Sequence, residues 1–271
     1  MCSLFGISTD KPVRPVKALK AFYERGFYNP HGVGVAYYNS NRSAVLQKQA
    51  KMALRSPLAE KVRLSEKTVS DIFIAHVRIA SPGLKISYNN THPFKEEAAG
   101  REYIFAHNGT LYASRRFSTG GYHPRGETDS EYAFCYILSE ISERNPVWND
   151  ESFKWLHGIL TDINRDGAFN MMLSDGEYLF CYNDSMNHNG GLGFVRREGY
   201  SHERERSATG VIVSTRPVVS GESSRFKPGE LKVFRCGKEV FSSCMLIKEA
   251  NHVIFFRDYT AITTDAGKIG E

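Results

Sequence analysis

A cysteine at position 2 is the first residue of this sequence that could do chemistry. The chain begins MCSLFG, so the thiol stands before an apolar run and not in a polar end that would fray into solvent. Removal of Met1 would give Cys2 a free α-amine, and a pKa of about 7.7–8.0 suits that amine to take the thiol proton and return it to a leaving group. Cys2 could then be both nucleophile and base. The alternative is a small residue that packs in a strand.

An arginine ends the apolar run of AHVRIAS (75–81). The planar guanidinium of Arg78 could hold a carboxylate through two parallel hydrogen bonds, as in recognition of an amino acid. Taken alone, an arginine in this position is more often the partner in a surface ion pair. His76 lies two residues earlier, so in a strand its side chain points to the same side as that of Arg78. It could equally be a core histidine or a catalytic one.

The dipeptide Asn108-Gly109 interrupts the apolar segment FAHNGTL (105–111). Between two β-like runs, Asn-Gly by itself predicts a type I′ turn. The functional alternative is that the Asn108 side-chain amide and the Gly109 N–H stabilise an oxygen that becomes negative during acyl transfer.

An aspartate opens the helix predicted within GETDSEYAF (126–134). Thr128 is suited to cap this helix, with Glu131 completing a capping box. Asp129 in the first turn is favoured there by the helix dipole, but its carboxylate could also hold a substrate ammonium. His92, in the segment NNTHPFK (89–95), is interpreted as structural.

The periodicity of the sequence predicts strands and helices that could position these residues. Strands are predicted at 2–8, 31–39, 70–78, 102–108, 210–218 and 229–237, helices at 16–25, 128–142 and 151–164, and a hairpin around Asp175-Gly176 within 168–183. With no repeats, low-complexity tract or linker, the pattern favours a single α+β domain with layers of strands and helices.

Composition excludes several classes of protein. The 271 residues are 41% hydrophobic, with no apolar stretch long enough for a membrane helix. The net charge of +5 is dispersed, and the basic run 196–207 is interleaved with glutamates, which indicates a solvated loop or hairpin and not a nucleic-acid site. Five cysteines without paired spacing favour neither a zinc site nor a disulfide framework. With no leader before Cys2, a cytoplasmic location is expected.

Taken in order, the motifs resemble a known family. Cys2, HGVGVAYY, AHVRIAS, NNTHPF, AHNGTL and GETDSE together are similar to the class II glutamine amidotransferases, N-terminal nucleophile hydrolases, and in particular to members that consist of the glutaminase-like domain alone. The resemblance implies a four-layer αββα sandwich and one such domain over residues 1–271, with Met1 removed. The apolar run after Cys2 would then be an interior strand that holds the thiol still.

The resemblance also implies a role for each candidate residue. Cys2 matches the nucleophile, Arg78 the group that binds the substrate α-carboxylate, Asp129 the group that binds its α-ammonium, and Asn108 with Gly109 the oxyanion hole. Attack on a γ-glutamyl amide would give a thioester on Cys2, which water hydrolyses to glutamate. No metal or organic cofactor is required.

Several functions fit this pattern. The chain could release ammonia from glutamine for a separate synthase subunit, or hydrolyse γ-glutamyl peptides or conjugates, because both need the same head-group site. A non-catalytic glutamine-binding or interaction module of the same fold is the alternative. A papain-like protease would need a distant histidine base, for which the sequence offers four candidates outside any supporting motif: His157, His188, His202 and His252.

Overall fold

The computed structural model describes residues 2–200 and 208–243. Its helices are α1 (Val16–Tyr23), α2 (Pro57–Leu64), α3 (Asp129–Arg144) and α4 (Asp150–Asn164). Its strands are β1 (Ser3–Val13), β2 (Gly32–Tyr38), β3 (Ala44–Gln49), β4 (Ser70–Arg78), β5 (Phe94–Ala98), β6 (Arg101–Leu111), β7 (Gly167–Ser174), β8 (Tyr178–Tyr182), β9 (Gly193–Tyr200), β10 (Ala208–Ser214), β11 (Ser223–Arg225), β12 (Leu231–Arg235) and β13 (Lys238–Ser242). None of the helices in these ranges is long and apolar enough to cross a lipid bilayer.

The strands form two antiparallel sheets. The first has the order β11-β9-β10-β1-β4-β2-β3, and the second has the order β13-β12-β8-β7-β6-β5. β1 lies in the middle of the first sheet between β10 and β4, so the strand that follows Cys2 is hydrogen-bonded on both edges. This placement holds the start of the chain in the interior, as the sequence predicts.

Alternating side chains of both sheets enter different cores, as the period of two in a strand requires. In β1, Leu4 belongs to the core between the two sheets, whereas Phe5 packs in the core shared with α1 and α2. In β6, Ala106 faces the inter-sheet core and Phe105 faces the core shared with α3 and α4. The three cores separate four layers, and the predicted αββα sandwich is confirmed.

Asn108-Gly109 does not form a turn. Both residues lie inside β6, where Asn108 pairs with Asn170 and Gly109 with Phe169 of β7. A Cβ at Gly109 would collide with the carbonyl oxygen of Ala168, so close approach of two strands explains this glycine. The turn prediction is wrong because pairing with a strand distant in sequence overrides the local preference.

The N-terminus of α3 follows the sequence prediction in part. Thr128 caps the helix, since its hydroxyl oxygen accepts a hydrogen bond from the Glu131 N–H at 3.2 Å. The Glu131 carboxylate, however, accepts from the Gly126 N–H at 2.7 Å and thus ties the preceding loop to the helix. The reciprocal half of the predicted capping box is therefore replaced by a longer-range bond.

The remaining elements largely match their predictions. The hairpin at Asp175-Gly176 joins β7 to β8, and β4 has the predicted bounds. The first helix ends at Tyr23, before the predicted Arg25, and continues as a 3-10 turn over Glu24–Phe27. The basic run 196–207 enters the antiparallel pair β9 and β10, as a hairpin would, but residues 201–207 lie outside the described residues.

Candidate active site

Cys2 lies directly before β1, at the end of the central part of the first sheet. Because Ser3 pairs with Val77, the register brings Cys2 next to the end of β4. Its Sγ accepts a hydrogen bond from the Ile79 N–H at 3.2 Å and donates to the Ile79 carbonyl oxygen at 3.3 Å. On the other edge, the Thr215 hydroxyl accepts from the Leu4 N–H at 3.3 Å. The thiol is therefore held by the backbone of Ile79, just after β4, and the Thr215 hydroxyl, just after β10, holds the backbone two residues along the chain.

Burial raises the pKa of the Cys2 thiol, although its backbone hydrogen bond to Ile79 and the nearby Arg78 act in the opposite direction. A thiol with a raised pKa is protonated near neutral pH and needs a base before it can attack. Burial also raises the pKa of Cys135, to about 12, and that of Cys181. Of the other described cysteines, Cys236 is exposed.

Arg78 is the last residue of β4 and the side chain is buried, with 3% of its surface exposed. Its Nη1 atom has no hydrogen-bond partner within residues 2–200 and 208–243. Burial lowers the pKa of Arg78, whereas Cys2 and Asp129 both raise it. The Cys2 thiol and the Asp129 carboxylate, which are far from each other in the sequence, are thus both near enough to Arg78 to influence its charge.

Asn108 lies on β6 of the second sheet, which contacts β1 and β4 across the inter-sheet core. The residue is 3% exposed, and its side-chain Nδ2 has no hydrogen-bond acceptor among the described residues. Its carbonyl oxygen accepts a hydrogen bond from Asn170 Nδ2 at 3.4 Å. Asn108 therefore presents a buried amide donor that no described residue accepts from.

Asp129 is the first residue of α3, after the cap at Thr128. Its Oδ2 accepts a hydrogen bond from the Leu111 N–H at 2.7 Å, three residues beyond Asn108 on β6. Within residues 2–200 and 208–243, the other oxygen, Oδ1, has only a long contact of 3.5 Å from the Ser130 hydroxyl. One carboxylate oxygen thus anchors the helix to β6 while the other stays available for a ligand.

A second contact fixes Asn108 relative to Asp129 through their immediate neighbours. His107 Nε2 donates to the Ala168 carbonyl oxygen at 3.1 Å, since that oxygen can only accept. Burial lowers the pKa of His107, so the ring is neutral and its Nδ1 accepts from the Ser130 hydroxyl at 2.8 Å. This bond between His107 and Ser130 joins the strand to the helix.

The loop before α3 is held by the segment that precedes β5. Asn90 Oδ1 accepts a hydrogen bond from the Glu127 N–H at 2.8 Å. The neighbouring Thr91 packs against Gly32 of β2, where a Cβ would come within 2.9 Å of its methyl group. Asn90 and Thr91 therefore connect the Asp129 loop with the strand beside Arg78. Their motif is quoted in the sequence analysis, but this positioning role is not predicted there.

His76 and His92 form a buried pair in the core, with ring centroids 4.5 Å apart. Neither ring has a hydrogen-bond partner among the described residues, and burial lowers the pKa of His76 to about 3. Burial also lowers the pKa of His92, so both rings are neutral. Both hydrogen bonds of the Cys2 thiol go to Ile79, so neither of these histidines bonds to the nucleophile. The structural interpretation of His92 agrees with this placement.

No histidine proposed for a papain-like reading bonds to Cys2 in the described residues. His157 Nε2 bonds to the Gly229 carbonyl oxygen at 2.9 Å, and His188 Nδ1 to Asp184 at 2.8 Å. His202 and His252 lie outside the described residues.

A cleft of about 470 Å³ opens beside Cys2, and most of the residues that line it are not predicted from the sequence. They include Arg25, Tyr28, Asn29 and Arg216, from the 3-10 turn after α1 and from the segment after β10. The signal in the sequence is the short run ERGFYN at 24–29, which mixes polar and aromatic residues directly after an amphipathic helix.

Comparison with known proteins agrees with the fold of two stacked sheets. Residues 1–253 match the class II glutamine amidotransferases. An uncharacterized protein of Methanocaldococcus jannaschii is 41% identical over 258 residues, which cover 90% of this chain and 72% of that protein. The crystal structure of a "predicted glutamine amidotransferase" from Pseudomonas aeruginosa is similar with a TM-score of 0.63 and 26% identity, over 89% of this chain and 100% of that one.

The fold also occurs in a larger enzyme. Glutamine phosphoribosylpyrophosphate amidotransferase of B. subtilis is similar with a TM-score of 0.62 and 18% identity, over 89% of this chain and 48% of that one. Two stacked antiparallel sheets between helices are thus the arrangement of a known group of proteins. This chain belongs to the class II glutamine amidotransferase family.

Proposed function

We propose that the chain hydrolyses a γ-glutamyl amide, from glutamine or a γ-glutamyl compound, through a thioester on Cys2. One observation carries the proposal: two buried donors, Arg78 Nη1 beside the thiol and Asn108 Nδ2 on the facing sheet, have no partner among the described residues. An unpaired buried donor costs about 1–3 kcal/mol, and more when it is charged. A substrate that accepts from both groups would offset that cost.

The amino-acid end of the substrate is recognised by opposite charges. Arg78 binds the α-carboxylate, since its free Nη1 can complete a charge-assisted hydrogen bond. Asp129 binds the α-ammonium through Oδ1, the oxygen not committed to the Leu111 N–H. A γ-glutamyl head carries both charges on one carbon, and its side chain then extends toward Cys2.

The chemistry proceeds in two steps on one cysteine. The Cys2 α-amine takes the thiol proton, and the sulfur attacks the γ-carbonyl carbon while Asn108 Nδ2 and the Gly109 N–H stabilise the oxyanion. The C–N bond breaks, and the amine gives its proton to the departing ammonia or amine. Water then attacks the thioester and releases glutamate, with the proton returned to sulfur. The raised pKa of the thiol explains the need for this base.

A free amine on Cys2 requires removal of Met1, so the proposal includes that processing step. It also takes residues 1–271 as one domain of this type. Where a separate synthase uses the ammonia, the same head-group site serves that subunit.

The test combines mass and labelling. Intact mass of active protein should correspond to loss of Met1, and a chloroketone analogue of glutamine should modify Cys2 once per chain. Cys2→Ala should lose the label and all glutamate release. The matched control is Cys236→Ala, which removes the exposed thiol and should leave both unchanged. Iodoacetamide, which lacks the amino-acid head, should label Cys236 in preference.

Several results would contradict the proposal. Full activity with Met1 still attached would exclude the α-amine as base. Chloroketone labelling that persists in Cys2→Ala would place the reactive atom elsewhere. Glutamine binding without glutamate release, by protein that begins at Cys2, would favour the non-catalytic binding module.

A further inference from the structure

The cleft beside Cys2 lies apart from Arg78, Asn108 and Asp129, which do not line it. We call those three residues the head side, and Arg25, Asn29 and Arg216 the tail side. Since the head side takes the amino-acid end of the substrate under the proposed function, the cleft is where the group beyond the scissile bond would lie. The inference below rests on that function.

The charge of the cleft is positive. Arg25 and Arg216 both line it, and no aspartate or glutamate is among the described residues that do. Arg25 Nη2 donates to the Pro217 carbonyl oxygen at 3.2 Å, which ties the 3-10 turn to the segment carrying Arg216. The Arg25 Nε is buried and has no acceptor in residues 2–200 and 208–243. The exposed Arg216 has no ion pair with a described carboxylate.

Asn29 adds an acceptor to this cleft. The residue is 2% exposed, and its Nδ2 donates to the Arg25 carbonyl oxygen at 3.0 Å. The side-chain Oδ1 is buried and accepts no hydrogen bond from any described residue. A buried amide oxygen that accepts no hydrogen bond lowers the stability of the fold. A ligand that donates an N–H to this oxygen would remove that cost.

Together these groups match one kind of leaving group. An α-amino acid in amide linkage presents an N–H and, one carbon away, a carboxylate. Asn29 Oδ1 would accept from the N–H, and the two guanidiniums would bind the carboxylate. Ammonia, the leaving group of glutamine, has no negative charge and leaves most of a cleft of about 470 Å³ unfilled.

We infer that the substrates of this chain are γ-glutamyl amino acids, in which a free α-amino acid with its carboxylate leaves through the tail side. Hydrolysis breaks the bond between the γ-carbonyl carbon and the amino-acid nitrogen. Water supplies a hydroxyl to the carbon and a proton to the nitrogen, so the products are glutamate and the amino acid.

The experiment compares kcat/KM for three compounds with the same head: γ-glutamylglycine, γ-glutamylglycinamide and glutamine. Glutamate release is measured for each. We expect γ-glutamylglycine to exceed its amide by about 10- to 100-fold, the range for one or two charge-assisted hydrogen bonds. Arg216→Gln should bring the ratio of acid to amide toward one. Arg235→Gln, which removes an exposed arginine paired with Glu177 on the second sheet, should keep the ratio.

The outcomes separate the inference from the function on which it rests. Equal rates for the acid and the amide, or a preference for glutamine over both, would overturn the inference and leave the hydrolase intact. An equal fall of both rates in Arg216→Gln, with the ratio kept, would also overturn it. Failure to release glutamate from any of the three compounds, by protein with Met1 removed, would overturn the proposed function itself.

Discussion

On the head side of Cys2 the polar groups belong to regular elements, the strands β4 and β6 and the helix α3, whereas on the tail side they belong to a 3-10 turn, the residues just after it and a loop, and range from the buried Asn29 to the exposed Arg216. Arg78 and Asn108 are both 3% exposed and stand on central strands. Arg216 is exposed, and the neighbouring Tyr28 is 69% exposed.

The difference indicates how recognition is divided. Rigid strands can bind a group that is the same in every substrate. Such a group accepts hydrogen bonds from the same buried donors each time, and so offsets the free-energy cost of leaving those donors unpaired. A turn and a loop can change in sequence without disturbing the cores. Under the proposed function, the head side would define the reaction, and the tail side would select among its substrates.

The largest effect is expected for Asn108→Leu. Loss of one oxyanion donor typically lowers kcat by about 10²–10³ fold, and the fall should be equal for all γ-glutamyl substrates. Because Asn108 Nδ2 has no partner among the described residues, the variant loses no side-chain hydrogen bond of that donor. Steady-state kinetics and thermal unfolding should thus show an inactive protein of unchanged or higher Tm. A lower Tm with a proportional loss of activity would indicate a structural role instead.

A smaller effect, on KM, is expected from the head-side charges. Arg78→Met and Asp129→Asn should each raise KM by about 10- to 100-fold, the value of a lost charge-assisted hydrogen bond. Asp129→Asn retains an oxygen for the Leu111 N–H, so the anchor of α3 is kept while the charge is lost. In a Cys236→Ala background, both variants should still react with iodoacetamide at Cys2. Unchanged glutamine kinetics in either one would contradict the head-group assignment.

The free energy of unfolding should fall in acid because of His76, which lies on the same strand as Arg78. Burial lowers the pKa of His76, two residues before Arg78, to about 3 from the ordinary 6.5. Between these values the unfolded chain binds a proton that the folded chain does not, so stability present above pH 6.5 is lost as the pH falls toward 3. One such proton corresponds to about 1.4 kcal/mol per pH unit.

Urea unfolding at several pH values measures that slope. His76→Leu should reduce it by about one proton, whereas Ile74→Val, a buried neighbour on β4, should cost about 0.5–1.5 kcal/mol at every pH and keep the slope. An equal slope in the wild type and in His76→Leu would mean that the ring is charged in the folded protein.

The sequence alone predicts much of the head side and little of the tail side, for physical reasons. The bounds of β4 and the cap at Thr128 follow from local patterns of burial and hydrogen bonding, which neighbouring residues determine. The extended structure of Asn108-Gly109 depends on pairing with β7, a strand about sixty residues later in the sequence. The local sequence alone predicts a turn, which does not form.

Asn29 and Arg25 show a second limit. The Arg25 Nε and the Asn29 Oδ1 are buried and have no hydrogen-bond partner among the described residues. This property arises only in the folded protein, so residue type and spacing do not predict it. The motifs of the head side, by contrast, occur in an order that resembles a known family, so the sequence predicts a role for each of them.

The smallest effect tests whether the two sides act independently. For γ-glutamylglycine, the double variant Arg78→Met/Arg216→Gln should lower kcat/KM by the product of the two single effects, with a coupling free energy below about 0.5 kcal/mol. The reason is that the two arginines bind opposite ends of the substrate and come from β4 and from the segment after β10, with Cys2 and β1 between them. A double-mutant cycle with the same substrate measures the coupling. A coupling above 1 kcal/mol would mean that both guanidiniums bind one carboxylate, and head and tail would then be a single site.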